Sequence, residues 1–353
     1  MPIVPVKTSS GVVNFNCTIS TPTKTEAERI EPGLPTILFM HGVYLPQIAF
    51  HSQFVDPLLR KFNLVTFDFR SHGETTGAKV PLGYGQKDVA HDVIGLMNAL
   101  RINSCHIMAL SMGTVAALEI ASRWPERCLS LLLVAPLGLQ ERDELKSAHE
   151  DIHDLWRQGY PEPGTVLEDV LKDAFYGCMQ LAFSGKQSEM ADACLAIAFV
   201  FAESHWGPDN FDEFKHSTLD LFNNRKSLPK SQLSRIRCPV RIFRGDLDLA
   251  HPLEYTEQFV ELLHEAGCTD FEVTCVPNAP HLVSIDNPKF TNPVLHDLVM
   301  QQVQGTIPDV PDSVFSPWTP ILRDAGWIPE GDDEDEDGFV MHYQGFSSNV
   351  VVA

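Results

Sequence analysis

The sequence contains few basic residues and no long apolar segment. Lys and Arg number 26 against 47 Asp and Glu, which gives a formal net charge of -21 at pH 7. We therefore expect no nucleic acid partner, because a polyanion binds basic surfaces. No apolar run approaches the roughly 18 residues of a membrane-spanning helix, so we expect no membrane insertion. The first residues, MPIVPVKTSSG, lack the charged and then apolar pattern of a secretory signal.

The eight cysteines also lack the paired spacing of a disulfide framework. Several lie in apolar runs, where free cysteines behave as small buried hydrophobic residues. A reducing compartment suits them, and we expect a cytoplasmic protein. The composition is 44% hydrophobic and 21% charged, which is typical of a globular chain. Nothing in it indicates the oligomeric state.

Six short apolar runs alternate with helical stretches along the chain. Because the runs are continuous rather than alternating, they predict strands that are covered on both faces. The predicted fold class is therefore α/β, with a mostly parallel, doubly wound sheet and helices on either side. An earlier run, GVVNFNCTIS, predicts an antiparallel edge strand. The six runs cover residues 36–42, 63–69, 106–111, 129–136, 240–245 and 271–277.

The alternation of apolar runs and helical stretches stops between residues 139 and 237. Helices broken by Pro and Gly there predict an inserted helical cap (139–237). We expect residues 1–138 and 238–310 to form the core. Residues 311–353 are then a C-terminal extension that crosses the surface and ends in a mobile, solvated tail. The acidic block of this tail, residues 332–337, consists entirely of Asp and Glu.

Ser111 lies on an abrupt corner in ALSMG, where a predicted strand passes into a predicted helix without a loop. In the G-x-S-x-G nucleophile elbow, the residues two before and two after the serine must be nearly free of side chain. Ala109 and Gly113 satisfy that need. Such a corner exposes the hydroxyl at a helix N-terminus, where developing negative charge is stabilised. The alternative is an ordinary junction with a capping serine.

A serine hydroxyl needs a base to accept its proton and an acid to orient that base. The order expected after an elbow serine is the acid and then a histidine. Asp246 and Asp248 follow the run VRIFRG, and His281 follows the next run. The oxyanion of the reaction needs two N–H donors, and the candidates are Met112, directly after the serine, and Val43 in FMHGVYLPQ.

Together these motifs resemble the α/β-hydrolase superfamily in its capped form. The resemblance covers residues 34–290 apart from the cap, and it rests on FMHG, FDFRSHGET, ALSMGTVAALEIASRWPERCLSLLLVAP, GDLD and PHLVSIDNP. It implies that Ser111 is the nucleophile, His281 the general base and Asp248 the acid, with Asp246 as the alternative acid. It implies no cofactor. The sequence departs from the usual family pattern at three positions, Ser71, Ala109 and Thr114.

The run HEDIH matches the H-E-x-x-H zinc motif, in which two histidines share one helix face. His149, Glu150 and His153 would then serve a zinc peptidase, with Glu162 or Glu168 as a further ligand. The surrounding run AHEDIHDLWRQ is strongly polar, so we expect a solvated helix face and no metal.

We expect an apolar pocket where the cap covers Ser111, and such a pocket suits a small, mainly hydrophobic substrate. The predicted function is a serine hydrolase for a carboxylic ester or lactone, acting through an acyl-enzyme on Ser111. A C–C hydrolase, an acyltransferase and a non-catalytic ligand-binding protein are the alternatives. The predicted pocket residues are Tyr44, Leu45, Leu110, Phe175, Phe199, Trp206, Leu249 and Leu282.

Overall fold

A mixed β-sheet of nine strands forms the centre of the computed structural model, which describes residues 1–309 and 314–329. Its strands are β1 (Ile3–Thr8), β2 (Gly11–Ser20), β3 (Thr36–Met40), β4 (Asn63–Phe67), β5 (Thr76–Gly77), β6 (Cys105–Leu110), β7 (Cys128–Val134), β8 (Val240–Gly245) and β9 (Phe271–Val276). Their spatial order is β1-β2-β4-β3-β6-β7-β8-β9, and β5 pairs with β2 outside this series. The strands from β4 to β9 in this order are parallel, whereas β1, β4 and β5 pair with β2 antiparallel.

The six predicted runs all form strands, with ends that differ by at most two residues. The expectation for the run GVVNFNCTIS is wrong in one respect. It forms β2, which is antiparallel, but β1 pairs along its outer side and is the true edge. Pro5 lies in β1, where the missing N–H costs little because an edge strand has one unpaired side. The opposite edge, β9, is only partly covered, unlike the fully buried strands β3, β4 and β6.

Helices pack on both faces of this sheet, as a doubly wound fold requires. Alternate residues of β6 belong to two separate apolar clusters: Met108 and Leu110 to the one that includes Leu295, and Ile107 and Ala109 to the one that includes Ile120. The helices are α1 (His51–Phe54), α2 (Gln86–Ala99), α3 (Met112–Arg123), α4 (Asp143–Gln158), α5 (Glu168–Phe183), α6 (Glu189–His205), α7 (Phe211–Phe214), α8 (Leu221–Asn223), α9 (Lys230–Leu233), α10 (Leu253–Glu265), α11 (Val283–Asp286), α12 (Pro288–Met300) and α13 (Thr319–Asp324).

Between β7 and β8 the chain forms helices only, from α4 to α9. Trp156 of α4 is the centre of their packing: it is 1% exposed, and its indole N–H donates to the carbonyl of Trp206 at 2.8 Å. The rings of Phe175, Phe199 and Phe214 surround it. The division of the chain into a core and a cap domain at residues 139–237 stays a prediction.

The C-terminal extension packs on the body of the protein over residues 314–329. The ring of Trp318 lies 4.8 Å from that of Phe54, and the ring of Trp327 lies 4.6 Å from that of His51. The predicted acidic tail, with its block at 332–337, lies outside the described residues. Among the described residues, no helix has both the length and the apolar character needed to span a membrane.

Candidate active site

The corner at Ser111 has a backbone conformation that is unusual for a residue with a side chain. Its φ is 46° and its ψ is -112°. Its N–H donates to the carbonyl of Val134 at 2.9 Å, so strand pairing continues to the corner. A Cβ added to Gly113 would lie 2.4 Å from the carbonyl oxygen of Met40. Because residue 113 is glycine, α3 can start directly against the end of β3.

The three departures from the usual pattern have local explanations. Ala109 lies in the fully buried strand β6, where its methyl group packs in the sheet core. The Thr114 hydroxyl donates to the carbonyl of Ser111 at 2.6 Å and so braces the corner. Ser71 has φ 62°, and its hydroxyl oxygen accepts a hydrogen bond from the indole N–H of Trp206 at 3.0 Å.

Three loops at the carboxyl edge of the sheet bring Ser111, His281 and Asp248 into one hydrogen-bonded line. The Ser111 Oγ lies 2.9 Å from Nε2 of His281, and the Nδ1 of His281 lies 2.7 Å from Oδ2 of Asp248. All three residues are buried. Burial raises the pKa of Asp248, but His281 and the N–H of His251 outweigh that effect and hold the pKa below its ordinary value. The carboxyl group is therefore ionised at neutral pH.

The two candidate acids occupy different positions. Asp248 contacts His281, whereas Asp246 is exposed and its Oδ1 accepts a hydrogen bond from the N–H of Ala279 at 3.3 Å. Asp246 therefore stabilises the loop that carries His281 and does not touch the imidazole. A Cβ added to Gly245 would lie 2.1 Å from the carbonyl oxygen of Ala279, so the close approach of the two loops needs a glycine there.

The backbone beside Ser111 contains the two predicted N–H donors, Val43 and Met112. Neither N–H has a hydrogen-bond partner among the residues that the structure describes. Gly42 lies so close to the corner that an added Cβ would be 3.5 Å from the Cβ of Ser111. His41 braces this loop: its Nδ1 donates to the carbonyl of Gly42 at 2.7 Å, and its Nε2 accepts from the N–H of Phe69 at 2.9 Å.

A cavity opens in front of Ser111 and His281. It contains about 440 Å³ of space free of protein atoms, which includes its opening to solvent. Of the eight predicted pocket residues, Tyr44 and Leu282 line it, together with Val43. The rest of the lining is mostly apolar and comes from Gly42, from the loops after β7 and β8, and from α4, α5 and α8. These lining residues include Leu137, Leu145, Leu181, Ala182 and Phe222.

The other six predicted pocket residues do not line this cavity. Leu45 and Leu110 are buried in the apolar cluster beneath the site. Phe175, Phe199 and Trp206 pack around Trp156 in another part of the same cluster. Leu249 is 75% exposed, and its N–H donates to Ser184 Oγ at 3.2 Å.

A sequence model described as the alpha/beta hydrolase family matches residues 37–294 of the chain. The chain belongs to this family. A curated relative, "Putative carbamate hydrolase RutD" from Pantoea ananatis, is 33% identical over 93 residues, which are 26% of this chain. The matched segment spans only 31% of that relative's length.

Solved structures resemble this alpha/beta hydrolase over most of its length. An enol-lactonase from Burkholderia xenovorans has a TM-score of 0.63 and 16% identity, covering 84% of this chain and 99% of its own. A thermophilic esterase from Thermogutta terrifontis has a TM-score of 0.64 and 17% identity, covering 85% and 99%. At these identities the likeness shows the fold alone.

Two polar residues of the cavity lining were not predicted, His251 and Glu141. The His251 ring stacks on that of His281, with centroids 4.6 Å apart and planes 22° apart. Its backbone N–H donates to Oδ1 of Asp248 at 2.9 Å. Burial, followed by the nearby His281, lowers the pKa of His251 to about 3, so the ring is neutral at pH 7. The run GDLDLAHP contained the signal, because His251 follows Asp248 by three residues.

The H-E-x-x-H motif lies on α4, and the expectation of a solvated face is wrong for its histidines. His149 and His153 are both buried, whereas Glu150 is exposed. The phenol oxygen of Tyr44 lies 2.8 Å from Nδ1 of His149, within hydrogen-bond distance. The rings of the two histidines stack on different partners, Phe222 for the first and Phe214 for the second.

A different group has the spacing of metal ligands within the described ranges. It consists of Asp248, His251 and His281, with ligand atoms within 4.8 Å of one another. Because the two imidazole rings stack nearly parallel, their in-plane lone pairs do not converge on one point. The Nδ1 of His281 is also engaged by the carboxylate. The arrangement fits a hydrogen-bonded line better than a metal centre.

The turn between α5 and α6 is bonded directly to the loops that carry the site. The carbonyl of Ala182 accepts a hydrogen bond from the N–H of Leu282 at 3.1 Å. The Lys186 ammonium donates to the carbonyl of Asn278 at 2.7 Å, and the Ser188 hydroxyl donates to Asp286 at 2.6 Å. Since Ala182 and Leu282 also line the cavity, the end of α5 forms part of its wall.

Proposed function

We propose that this alpha/beta hydrolase is a serine hydrolase that cleaves a small carboxylic ester or lactone through an acyl-enzyme on Ser111. The observation that carries the proposal is the hydrogen-bonded line from Ser111 through His281 to Asp248, with distances of 2.9 and 2.7 Å. Nucleophile, base and orienting acid need this contact to act as a unit.

In the proposed mechanism the Ser111 Oγ attacks the carbonyl carbon while Nε2 of His281 takes its proton. Ionised Asp248 holds Nδ1–H of the imidazole and stabilises the imidazolium that forms. His281 then gives the proton to the leaving oxygen. Water, deprotonated by the same histidine, attacks the acyl-enzyme, and release of the acid restores the Ser111 hydroxyl.

The N–H groups of Val43 and Met112 are proposed to bind the oxyanion. Neither N–H is bonded to any residue that the structure describes, and Met112 opens α3, where the helix dipole adds to the field on a negative charge. We also propose that residues 139–237 act as the cap of the site. Three of their helices supply cavity residues, which supports this role.

The small and mainly apolar cavity supports a small-molecule substrate with an apolar body. Proteins similar to this chain are named as an esterase, an enol-lactonase and a putative carbamate hydrolase, and their three bond types define the panel to test. The burial of His149 and His153 against separate aromatic rings disfavours a zinc peptidase at the H-E-x-x-H run.

A fluorophosphonate probe tests the proposal. We expect it to label the wild-type protein and to leave Ser111→Ala unlabelled. The Ser122→Ala variant, at the far end of the same helix, is the control and keeps its labelling. Hydrolysis of the ester, lactone and carbamate panel should fall by about 10⁶-fold in Ser111→Ala. Equal labelling of wild type and Ser111→Ala, or unchanged hydrolysis, contradicts the mechanism.

A further inference from the structure

The cavity lining contains a carboxylate that is only half paired. Glu141 has a side chain that is 2% exposed, and its Oε2 lies 3.0 Å from the guanidinium Nη2 of Arg225. Its Oε1 is buried and has no hydrogen-bond partner among the described residues. A buried acceptor without a donor costs free energy, so such an atom in a cavity lining points to a donor on a ligand.

Arg225 determines what kind of donor suits Glu141. The guanidinium pairs with the carboxylate and also donates to the carbonyl of Gly138, and its side chain is 7% exposed. The negative charge of Glu141 is therefore already compensated inside the protein. A neutral hydroxyl can complete the hydrogen bonding of Oε1 without adding a second buried charge, whereas an ammonium group would leave a net positive charge buried.

His251 adds a second unpaired polar group to the same lining. Both of its ring nitrogens are buried without a hydrogen-bond partner among the described residues, and Oδ1 of Asp248 lies 3.9 Å from Nδ1. The ring is held by its stacking on His281 and by the contact of its backbone N–H with Asp248. As a neutral imidazole it has one donor and one acceptor nitrogen. A hydroxyl, which both donates and accepts, matches this pair of residues.

We propose that Glu141 is a specificity residue that accepts a hydrogen bond from a hydroxyl group of the substrate, with His251 as its second contact. The substrate class is then a hydroxylated ester or lactone. This inference rests on the proposed function, because it concerns the cavity in front of Ser111. It adds one requirement to that function: the ligand must carry a hydrogen-bond donor in addition to the reacting carbonyl.

The test compares short p-nitrophenyl esters that carry a hydroxyl at successive positions of the acyl chain, each with its deoxy counterpart. We expect wild type to prefer one hydroxylated ester by about 10- to 100-fold in kcat/KM, the size of a hydrogen bond to a charged group. Glu141→Gln should lower the ratio to about threefold, because the amide oxygen still accepts a hydrogen bond but carries no charge. The double variant Glu141→Leu with Arg225→Met replaces the buried pair by apolar residues and should bring the ratio close to one.

Glu144→Gln is the matched control. Glu144 is exposed and pairs with Arg142 outside the cavity, so the hydroxyl preference should persist in that variant. A wild-type ratio near one for every hydroxyl position overturns the inference. So does a ratio that stays high in both the Glu141→Gln variant and the double variant.

Binding of the same ester pairs to Ser111→Ala, measured by calorimetry, separates this inference from the proposed function. A hydroxyl preference in Kd supports the role of Glu141 even if the wild-type protein proves unable to hydrolyse any ester. Normal hydrolysis by wild type without a hydroxyl preference in kcat/KM or Kd contradicts the role of Glu141 and leaves the role of Ser111 intact.

Discussion

The two ends of the parallel strands differ in backbone strain. Among the described residues, seven that are not glycine have a positive φ, and five of these follow the carboxyl ends of strands. Near the amino ends, Arg101 is the one non-glycine residue of the described ranges with such a φ. Strained conformations persist where the surrounding structure holds them, and they concentrate at functional sites. The five residues are Tyr44, Ser71, Ser111, Ala135 and Asn278.

Hydrogen bonding differs between the same two ends. Toward the amino ends, the Nδ1 of His106 in β6 lies 2.8 Å from the hydroxyl of Ser130 in β7. Beyond the carboxyl ends, His251 and Glu141 keep buried polar atoms that have no hydrogen-bond partner within the described part of the chain. His251 and Glu141 also line the cavity in front of Ser111, so their unused donors and acceptors lie where a ligand can reach them. The difference supports placing recognition and chemistry at the carboxyl edge.

Within this comparison, the largest expected effect is a loss of kcat that distinguishes Asp248 from Asp246, the two acids of the carboxyl edge. Asp248→Asn should lower kcat for ester hydrolysis by about 10⁴-fold, because the amide no longer holds His281 in the right tautomer. Asp246→Asn is the control and should change kcat by less than about threefold, since its carboxylate only accepts from the N–H of Ala279. Similar losses in the two variants would show that Asp248 has no special role.

A change at the strained corner should have the next largest effect. Gly113→Ala places a Cβ against the carbonyl oxygen of Met40, so the free energy of unfolding should fall by about 3 kcal/mol. The displaced Ser111 should also lower kcat, by about 100-fold. Urea denaturation and ester hydrolysis measure the two effects. Gly207→Ala, where a Cβ meets nothing closer than 3.9 Å, should change neither, and equal stability of both variants would contradict this account.

The smallest expected effect is a dependence of stability on pH. Burial lowers the pKa of His106 to about 4 and, with the nearby His281, that of His251 to about 3, against an ordinary value near 6.5. The unfolded chain therefore binds more protons below pH 6.5, and the free energy of unfolding falls as the pH drops from about 6.5 to 4. Each histidine contributes up to about 1.4 kcal/mol per pH unit.

Denaturation at several pH values compares the two ends of the sheet. His106→Phe and His251→Phe should each flatten the pH dependence. At pH 7.5, His106→Phe should also lose about 1 kcal/mol, because it leaves the Ser130 hydroxyl unpaired, whereas His251→Phe removes two unpaired nitrogens and should lose less. A pH dependence as steep as that of wild type in both variants would contradict the assignment of neutral, buried rings.

The sheet and the line of three side chains could be predicted because their signals are local. Continuous apolar runs marked the strands, and the carboxyl ends of parallel strands meet at one edge. Ser111 ends such a run, and Asp248 and His281 each follow one. Their proximity could therefore be predicted without any knowledge of side-chain packing. The strand β1 was not predicted, since Pro2 and Pro5 obscure its alternation of buried and exposed residues.

The cavity lining could not be predicted in the same way. An apolar residue in a helix can face the cavity or a neighbouring helix, and Phe175 and Phe199 do the latter. On α4, the overall polarity of the sequence concealed a buried face. Its members recur three or four residues apart, which is the pattern that should have outweighed composition. They are Leu145, His149, Ile152, His153 and Trp156.

The hydrogen bonds of the end of α5 and of the turn after it restrict how a ligand can enter the cavity. The carbonyl of Ala182 holds Leu282, the immediate neighbour of His281, and Lys186 holds Asn278 three residues before it. An outward swing of this wall would pull the imidazole away from the serine. Entry of a ligand through this side would therefore abolish activity. A ligand that is to react at Ser111 has to enter at another part of the cavity rim.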